Sequence, residues 1–115
     1  MSLPSCIFAF STKNYDAMVR FFSDIGFEIT DGKGTQLCPM FNSGRGSYVK
    51  RGDVEFHLEE STTDQTCAPF NLWILDYTED EIFRAPDLGY PYTRQEGFNG
   101  TCHTLTSPDG GIVTF

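Results

Sequence analysis

The sequence predicts an α+β fold in which a strand–helix–strand–strand–strand unit occurs twice. Residues 14–29, NYDAMVRFFSDIGFEI, have the pattern of a capped helix that runs into a strand. Residues 87–92, DLGYPY, echo residues 24–29, DIGFEI, at an offset of 63 residues. Turn-forming residues separate short apolar runs after each copy. Such a repeat supports the fold prediction, because one copy alone leaves a face of its sheet unburied and needs a second copy to cover it.

The first copy contains the clearest helix. Asn14 is predicted as its N-cap, since a short polar side chain can accept a hydrogen bond from the free amides of the first turn. Gly26 is predicted to end it, because glycine adopts a left-handed conformation at little cost. The apolar positions at helical spacing between them are Tyr15, Met18, Val19, Phe22 and Ile25.

Strands are predicted on both sides of this helix. Residues 6–11 form a short apolar run before it, and residues 27–30 alternate apolar and polar after it. Residues 47–51 and 54–59 then form a hairpin around Gly52-Asp53. In its second strand, alternation separates an apolar face from a face that carries Glu55, His57 and Glu59. The polar residues 60–68 are the best candidate for a linker.

The second copy repeats this order. Residues 70–75 form an apolar strand, and Thr78 with Glu81 forms a capping box for a short helix that Pro86 ends. Residues 93–96, 101–106 and 112–115 are predicted as strands. The offset of 63 residues aligns Ile7 with Phe70.

Size and charge exclude several classes of function. With 115 residues the chain is predicted to be one domain, with module one at about 4–60 and module two at about 68–115. A net charge of −8 opposes binding to nucleic-acid phosphates. No segment has the pattern of a signal peptide or a membrane span, and the four cysteines form no CxxC pair. We therefore expect a cytoplasmic protein with reduced thiols and no nucleic-acid or membrane partner.

The sequence resembles the vicinal oxygen chelate superfamily, which contains glyoxalase I, bleomycin-resistance proteins and extradiol dioxygenases. The resemblance rests on the segments RFFSDIGFEI, GDVEFHLEES and LTSPDGGIVTF, and it covers essentially the whole chain. It implies two βαβββ modules that form a curved mixed sheet around a cleft. It also implies a homodimer, often with exchanged strands, that completes two ligand sites.

Metalloenzymes of this superfamily place one His or Glu ligand on each of four strands. Carried over to this sequence, these positions fall at or beside Ile7, His57, Phe70 and Thr114. Only His57 is a metal-binding residue type, whereas a divalent ion usually needs about three or more protein groups. The departure from the family pattern predicts no metal and no other cofactor, and it places the chain closest to the bleomycin-resistance branch.

The sequence predicts a set of ligand-binding residues for the cleft. His57 leads the set because it lies between two glutamates on the polar side of its strand; the alternative is a histidine that faces solvent. His103 is a second candidate, and the alternative for it is an ordinary strand residue. Parity along the first strand and the 63-residue offset place Trp73 in the core. The predicted set is His57, Glu55, Glu59, Ile7, Ala9, Phe70, Leu72 and His103.

Three functions remain open from the sequence. The first is metal-free capture of a small molecule, such as a cationic or aromatic drug, by a cytoplasmic homodimer. The second is a divergent metal-dependent lyase, isomerase or dioxygenase that uses His57 with Glu59 and His103. The third is a protein-interaction role with a cleft filled by side chains.

Overall fold

The computed structural model describes residues 8–31, 46–60, 70–98 and 100–115. The chain divides into two compact units, Met1–Cys67 (unit one) and Ala68–Phe115 (unit two). Unit one contains β1 (Phe8–Thr12), α1 (Tyr15–Asp24), β2 (Glu28–Asp31), β3 (Gly46–Arg51) and β4 (Val54–Glu60). Unit two contains β5 (Asn71–Trp73), α2 (Glu79–Arg84), a 3₁₀ turn (Ala85–Asp87), β6 (Tyr92–Gly97), β7 (Gly100–Thr106) and β8 (Ile112–Thr114). The predicted α+β fold with a repeated βαβββ order is confirmed.

Helix α1 begins without the predicted side-chain cap. Asn14 occupies the N-cap position, but its side chain makes no capping hydrogen bond. Its backbone N–H instead donates to Thr12 Oγ1 over 2.9 Å. The prediction was wrong because Asn14 has φ −109° and ψ 53°, outside the extended conformation in which an N-cap side chain reaches the first turn.

The end of α1 is a Schellman motif. Gly26 has a φ of +94°, its N–H donates to the carbonyl of Ser23 over 3.1 Å, and the N–H of Phe27 donates to the carbonyl of Phe22 over 2.9 Å. The Phe22 and Phe27 rings also meet, with centroids 5.4 Å apart. The predicted end of the helix at Gly26 is confirmed, and the chain continues through Phe27 into β2.

The buried side of α1 is wider than the predicted stripe. Tyr15, Met18, Phe22 and Ile25 are buried as predicted, while Val19 is half-buried. Phe21 is wholly buried as well, although the stripe omitted it. The hydroxyl of Tyr15 is hydrogen-bonded to Ser47 Oγ in β3, which ties the helix to the sheet.

Sheet one has the strand order β1-β4-β3-β2, with β1 parallel to β4 and the other pairs antiparallel. One face packs against α1, because the Phe56 ring lies 5.0 Å from the Phe22 ring. Strand pairing places Phe10, Val49 and Leu58 on this same helix face. The opposite face carries His57 and is called the His57 face.

Unit two confirms the predicted capping box and shows how the repeat is built. The N–H of Glu81 donates to Thr78 Oγ1, and the N–H of Thr78 donates to Glu81 Oε1. Helix α2 ends at Arg84, and the 3₁₀ turn that follows contains Pro86. Gly89 has a φ of +94°, the same value as Gly26. The 63-residue offset therefore holds at the turn after each helix.

Sheet two has the strand order β5-β8-β7-β6, which matches sheet one. Leu72, Val113 and Leu105 pair across one face, called the Leu105 face, where Val113 and Leu105 are wholly buried. Trp73 points to the opposite face, called the Trp73 face, and is 59% exposed. The prediction that Trp73 lies in the core was wrong. It relied on the 63-residue offset between the two copies, which is off by one residue at β5, and a slip of one residue exchanges the two faces of a strand.

Strand positions otherwise agree with the predictions to within a few residues. The first strand is described from Phe8 onwards, and Cys6, where the predicted segment began, lies outside the described residues. Ile7 and residues 61–68 of the predicted linker lie outside the described residues. Among the residues that are described, no helix is long and apolar enough to cross a membrane.

Candidate functional site

Four side chains form a row across the His57 face of sheet one. The strand register places Ala9 beside His57, His57 beside Tyr48, and Tyr48 beside Thr30. The row therefore crosses all four strands in the order β1, β4, β3, β2. His57 lies at its centre with a small side chain on one side and an aromatic ring on the other.

His57 is buried on this face. Its exposed fraction is only 5%, which excludes the alternative of a histidine facing solvent. Its Nδ1 atom is wholly buried and has no hydrogen-bond partner in the part of the chain that the structure describes. A buried polar atom without a partner costs free energy, about 1–3 kcal/mol, so native structures seldom keep one without a reason.

The neighbour of Nδ1 is the carboxylate of Glu59. Glu59 Oε1 lies 3.1 Å from His57 Nδ1, and the Glu59 side chain is 17% exposed. The two atoms are close enough for an ion pair, yet they lack the alignment of a hydrogen bond. We therefore treat the contact as electrostatic.

Strand β3 shapes the space around the imidazole. The Tyr48 ring lies 5.2 Å from the His57 ring, tilted by 52°. Gly46 also brings its backbone against the imidazole: a β-carbon at Gly46 would stand 2.9 Å from Nε2. The ring position thus depends on two residues of β3, one aromatic and one without a side chain.

The His57 face is also acidic. Lys50 pairs in register with Glu28 on one side and Glu55 on the other, and all three side chains are exposed. Together with Glu59, the described part of this face carries three carboxylates and one ammonium group. The predicted site residues Glu55 and Glu59 therefore lie on the same face as His57, as does Ala9.

Unit two contains an equivalent row on its Trp73 face. Register places Trp73 beside Thr114, Thr114 beside Thr104, and Thr104 beside Thr93. The strand order is again edge strand, last strand, third strand, second strand. Thr114 thus occupies the position of His57, and Trp73 occupies the position of Ala9. None of the four side chains in this row is charged at neutral pH.

The three predicted site residues of unit two lie on the other face of its sheet. Leu72 pairs with the buried Val113, and the Phe70 ring covers Gly111, where a β-carbon would be 2.2 Å from the ring. His103 pairs with Phe115 through two backbone hydrogen bonds. The structure thus brings His57, Glu55, Glu59 and Ala9 together, but it places Phe70, Leu72 and His103 on the Leu105 face.

His103 has its own polar partner on that face. The Tyr92 hydroxyl lies 2.6 Å from His103 Nδ1, and the two rings stack with centroids 6.0 Å apart. His103 therefore differs from His57, whose Nδ1 has no such partner among the described residues. The pairing fits the alternative of an ordinary strand residue.

The donor set does not fit a divalent ion held by the protein alone. Of the family ligand positions that fall on described residues, His57 offers an imidazole, Phe70 a phenyl ring and Thr114 a neutral hydroxyl. Within the described ranges, no group of three or more His, Cys, Asp and Glu side chains is arranged to hold a metal ion. The pair of His57 and Glu59 supplies two donors where about three or more are usual.

Comparison with known proteins gives matches only at the level of structure. No protein-family model and no curated protein matches the sequence. Lactoylglutathione lyase from Agrobacterium tumefaciens has a TM-score of 0.62 at 18% identity, covering 98% of this chain and 93% of that chain. Oxidase ChaP-H2 has a TM-score of 0.67 at 17% identity, with coverages of 99% and 92%. A bleomycin-binding protein solved in complex with bleomycin has a TM-score of 0.58 at 15% identity, with coverages of 97% and 96%.

These three proteins share one fold, and it is the fold that the sequence resemblance implies. The likeness extends over nearly the full length of each chain. At such low identities it establishes the architecture and leaves the activity to the site itself. The chain has the vicinal oxygen chelate fold, in common with glyoxalases and bleomycin-binding proteins.

Proposed function

We propose that the chain is a metal-free small-molecule-binding protein that holds a cationic aromatic compound on the His57 face of sheet one. The observation that carries the proposal is the buried Nδ1 of His57, which lies beside the Glu59 carboxylate and has no hydrogen-bond partner among the described residues. Such a site lacks a hydrogen-bond donor, which a ligand could provide. The mechanism is stoichiometric capture, so no residue needs a catalytic role.

The two acceptors define the ligand group. In the tautomer with its proton on Nε2, His57 presents a lone pair at Nδ1, and Glu59 presents a carboxylate oxygen 3.1 Å away. An ammonium or amidinium N–H would donate to the partly exposed Glu59 carboxylate, and it would reach the buried Nδ1 once the two side chains move apart on binding; hydrogen bonds to a charged group are the stronger kind. Binding would also remove the cost of the unpaired nitrogen. An anionic ligand would instead meet the carboxylate.

The surroundings favour a cation over an anion at longer range. The exposed carboxylates of Glu28 and Glu55 lie on the same face, and the chain carries a net charge of −8. An acidic surface raises the local concentration of cations and speeds their encounter. The Tyr48 ring next to His57 gives an aromatic ligand a surface to pack against.

The biological setting of this proposal follows from the family resemblance. Bleomycin, the compound bound by one structural neighbour, is a natural first candidate, and sequestration of a drug is the role we propose. We also propose that the protein is a cytoplasmic homodimer. The single-domain organisation, with modules at about 4–60 and 68–115, belongs to the same proposal.

A thermal-shift screen of metal-stripped protein tests this function. The panel contains divalent ions, bleomycin, 9-aminoacridine, which is cationic at neutral pH, and acridine, which has the same ring system but is neutral. A ligand at about a hundred times its dissociation constant stabilises the fold by about 2.7 kcal/mol, which raises Tm by several degrees. We expect a shift with a cationic aromatic compound and none with the ions.

A second candidate function has one observation in its favour. A buried imidazole beside a carboxylate is also a partial metal site, as a divergent metal-dependent lyase, isomerase or dioxygenase using His57 would need. Stabilisation by one divalent ion, lost in a His57→Ala variant, would establish this alternative. It would overturn the metal-free proposal.

A further inference from the structure

The hydrogen bond with Tyr92 accounts for only one of the two ring nitrogens of His103. When the Tyr92 hydroxyl donates to Nδ1, the ring proton sits on Nε2, and the imidazole presents an N–H donor there. Among the described residues Nε2 has no hydrogen-bond partner, and it is not one of their fully buried polar atoms. His103 itself is half-buried. The imidazole therefore carries a donor that solvent or a ligand can reach.

Arg94 lies directly opposite His103 on strand β6. Both backbone hydrogen bonds of His103 go to Phe115 on its other side. In an antiparallel sheet, a residue that bonds to one neighbouring strand forms the closer, non-hydrogen-bonded kind of pair with the other strand, with Cα atoms about 4.5 Å apart. The side chains of Arg94 and His103 thus leave the sheet side by side on the Leu105 face.

The fold engages the guanidinium of Arg94 only weakly. Among the described residues its polar partner is Glu96, with 3.4 Å between Nη2 and Oε1, and the two side chains are 59% and 77% exposed. An ion pair between such exposed side chains contributes little to stability, so a ligand can displace it. Arg94 is therefore a cation that remains available on this face.

The protein itself fills the equivalent place in unit one. Ser47 corresponds to His103, since Ser47 pairs with Leu58 in the last strand of its sheet and His103 pairs with Phe115 at the end of the last strand of the other. Ser47 is buried, and the hydroxyl of Tyr15 in helix α1 is hydrogen-bonded to it. The helix thus closes this position in unit one.

Helix α2 makes no equivalent contact in unit two. It has six residues where α1 has ten, and none of its side chains is buried. Tyr77, just before its N-cap, packs on Phe115 with ring centroids 6.4 Å apart and is still 42% exposed. The row that runs from Phe115 through His103 to Arg94 therefore has an aromatic residue at one end and an exposed cation at the other.

We propose that Arg94 and His103 form a binding site for a small oxyanion, the group shared by carboxylates and phosphates. A guanidinium and an imidazole N–H can donate to oxygens of the same anion, and hydrogen bonds to a charged group are the stronger kind. Tyr92 is a positioning residue, because its hydroxyl sets the ring tautomer that leaves the proton on Nε2. The site lies wholly within unit two and is independent of the cation site proposed on the His57 face.

An NMR titration tests the site. The chain has two histidines, so His57 and His103 give one Cε1–H resonance each, and a His103→Gln variant assigns them. Inorganic phosphate and acetate are added separately at constant pH and ionic strength. We expect a saturable movement of the His103 resonance, with the His57 resonance unchanged. Saturation at a lower concentration of phosphate identifies a phosphate site, and saturation at a lower concentration of acetate identifies a carboxylate site.

Substitution of Arg94 tests which charge holds the anion. Arg94→Gln should lower the affinity at least about tenfold, because a charge-assisted hydrogen bond is lost. Arg94→Lys should retain part of the affinity, since it keeps the charge without the planar fork of donors. Lys50→Gln is the matched control, because it removes one positive charge from an exposed strand residue of unit one, and it should bind like the wild type.

Tyr92→Phe tests the positioning role. Without the hydroxyl, ¹⁵N spectra of His103 should show a mixture of the two ring tautomers, and affinity should fall less than in Arg94→Gln. An unchanged tautomer would refute the role of Tyr92. A His103 resonance that neither anion moves, or equal losses of affinity in Arg94→Gln and Lys50→Gln, would overturn the site and leave the proposed cation-binding function untouched.

Discussion

Gly46 lies against the imidazole of His57 so closely that a β-carbon at Gly46 would stand 2.9 Å from Nε2. The two residues belong to neighbouring antiparallel strands, and the backbone of β3 forms one wall of the space that holds the ring. A glycine at this position is thus a condition for the observed place of His57.

The Gly46→Ala substitution should displace the imidazole and weaken ligand binding. The added methyl group has to push the ring away, which we expect to lower the free energy of unfolding by about 1–3 kcal/mol, the usual cost of overpacking. Affinity for 9-aminoacridine should fall by more than the change in stability explains. Urea denaturation and calorimetry on the same sample measure both effects.

Gly97→Ala is the matched control for that experiment. Gly97 also lies in a strand, but among the described residues a β-carbon there would meet only a backbone oxygen at 3.5 Å, an ordinary contact. We expect unchanged or slightly higher stability, because alanine restricts the unfolded chain more than glycine does. Equal affinities in Gly46→Ala and Gly97→Ala would show that the close approach to His57 has no role in binding.

Replacing His57 by leucine should separate stability from binding. The substitution removes the unpaired Nδ1 and fills a similar volume with apolar atoms, so the free energy of unfolding should stay the same or rise by about 1 kcal/mol. Ligand affinity should fall at least about tenfold, since one of the two acceptors is gone. Chemical denaturation with calorimetry checks both expectations.

Leu58→Ala, on the helix face of the same strand, gives the opposite pattern. Leu58 is wholly buried, so its truncation should cost about 2–5 kcal/mol of stability, and any loss of affinity should follow from unfolding. If His57→Leu were destabilised as strongly as Leu58→Ala, the imidazole would be a satisfied core residue. The binding role of His57 would then lose its support.

The turn after each helix should be sensitive to any side chain. Gly89 has a φ of +94°, and no contacting atom of the described part of the chain lies within 4 Å of the place where its β-carbon would be. Gly89→Ala should therefore lower the free energy of unfolding by about 1 kcal/mol through backbone strain alone. Gly89→Asn should recover part of the loss, because asparagine tolerates positive φ better than alanine does. Equal stabilities of the glycine and alanine proteins by urea denaturation would contradict this account.

Gly26 and Gly89 show which part of the fold was predictable from the sequence. Gly26 ends α1, and Gly89 follows the 3₁₀ turn after α2, so the echo of DIGFEI in DLGYPY located both turns and revealed the repeat. The capping box at Thr78 and Glu81 is local as well, and it was predicted correctly. Local chemistry of this kind needs no knowledge of distant strands.

Strand orientation was less predictable because it depends on distant partners. The face of Trp73 is decided by pairing between β5 and β8, about forty residues apart in sequence, and a slip of one residue reverses it. The polar side of β4 was predicted by alternation, but the burial of His57 was not, since Gly46 and Tyr48 come from another strand. A strand of three residues such as β5 gives alternation too few positions to decide a face.

The pairing of a ligand cation with Glu59 is the centre of this account, and calorimetry of two ring systems tests it most directly. The wild type should bind 9-aminoacridine more tightly than neutral acridine, and Glu59→Gln should remove most of that difference by lowering the affinity for the cation about tenfold or more. Glu96→Gln makes the same change of charge on an exposed residue of β6 and should retain the preference. A preference for the cation that survives in Glu59→Gln would contradict the account.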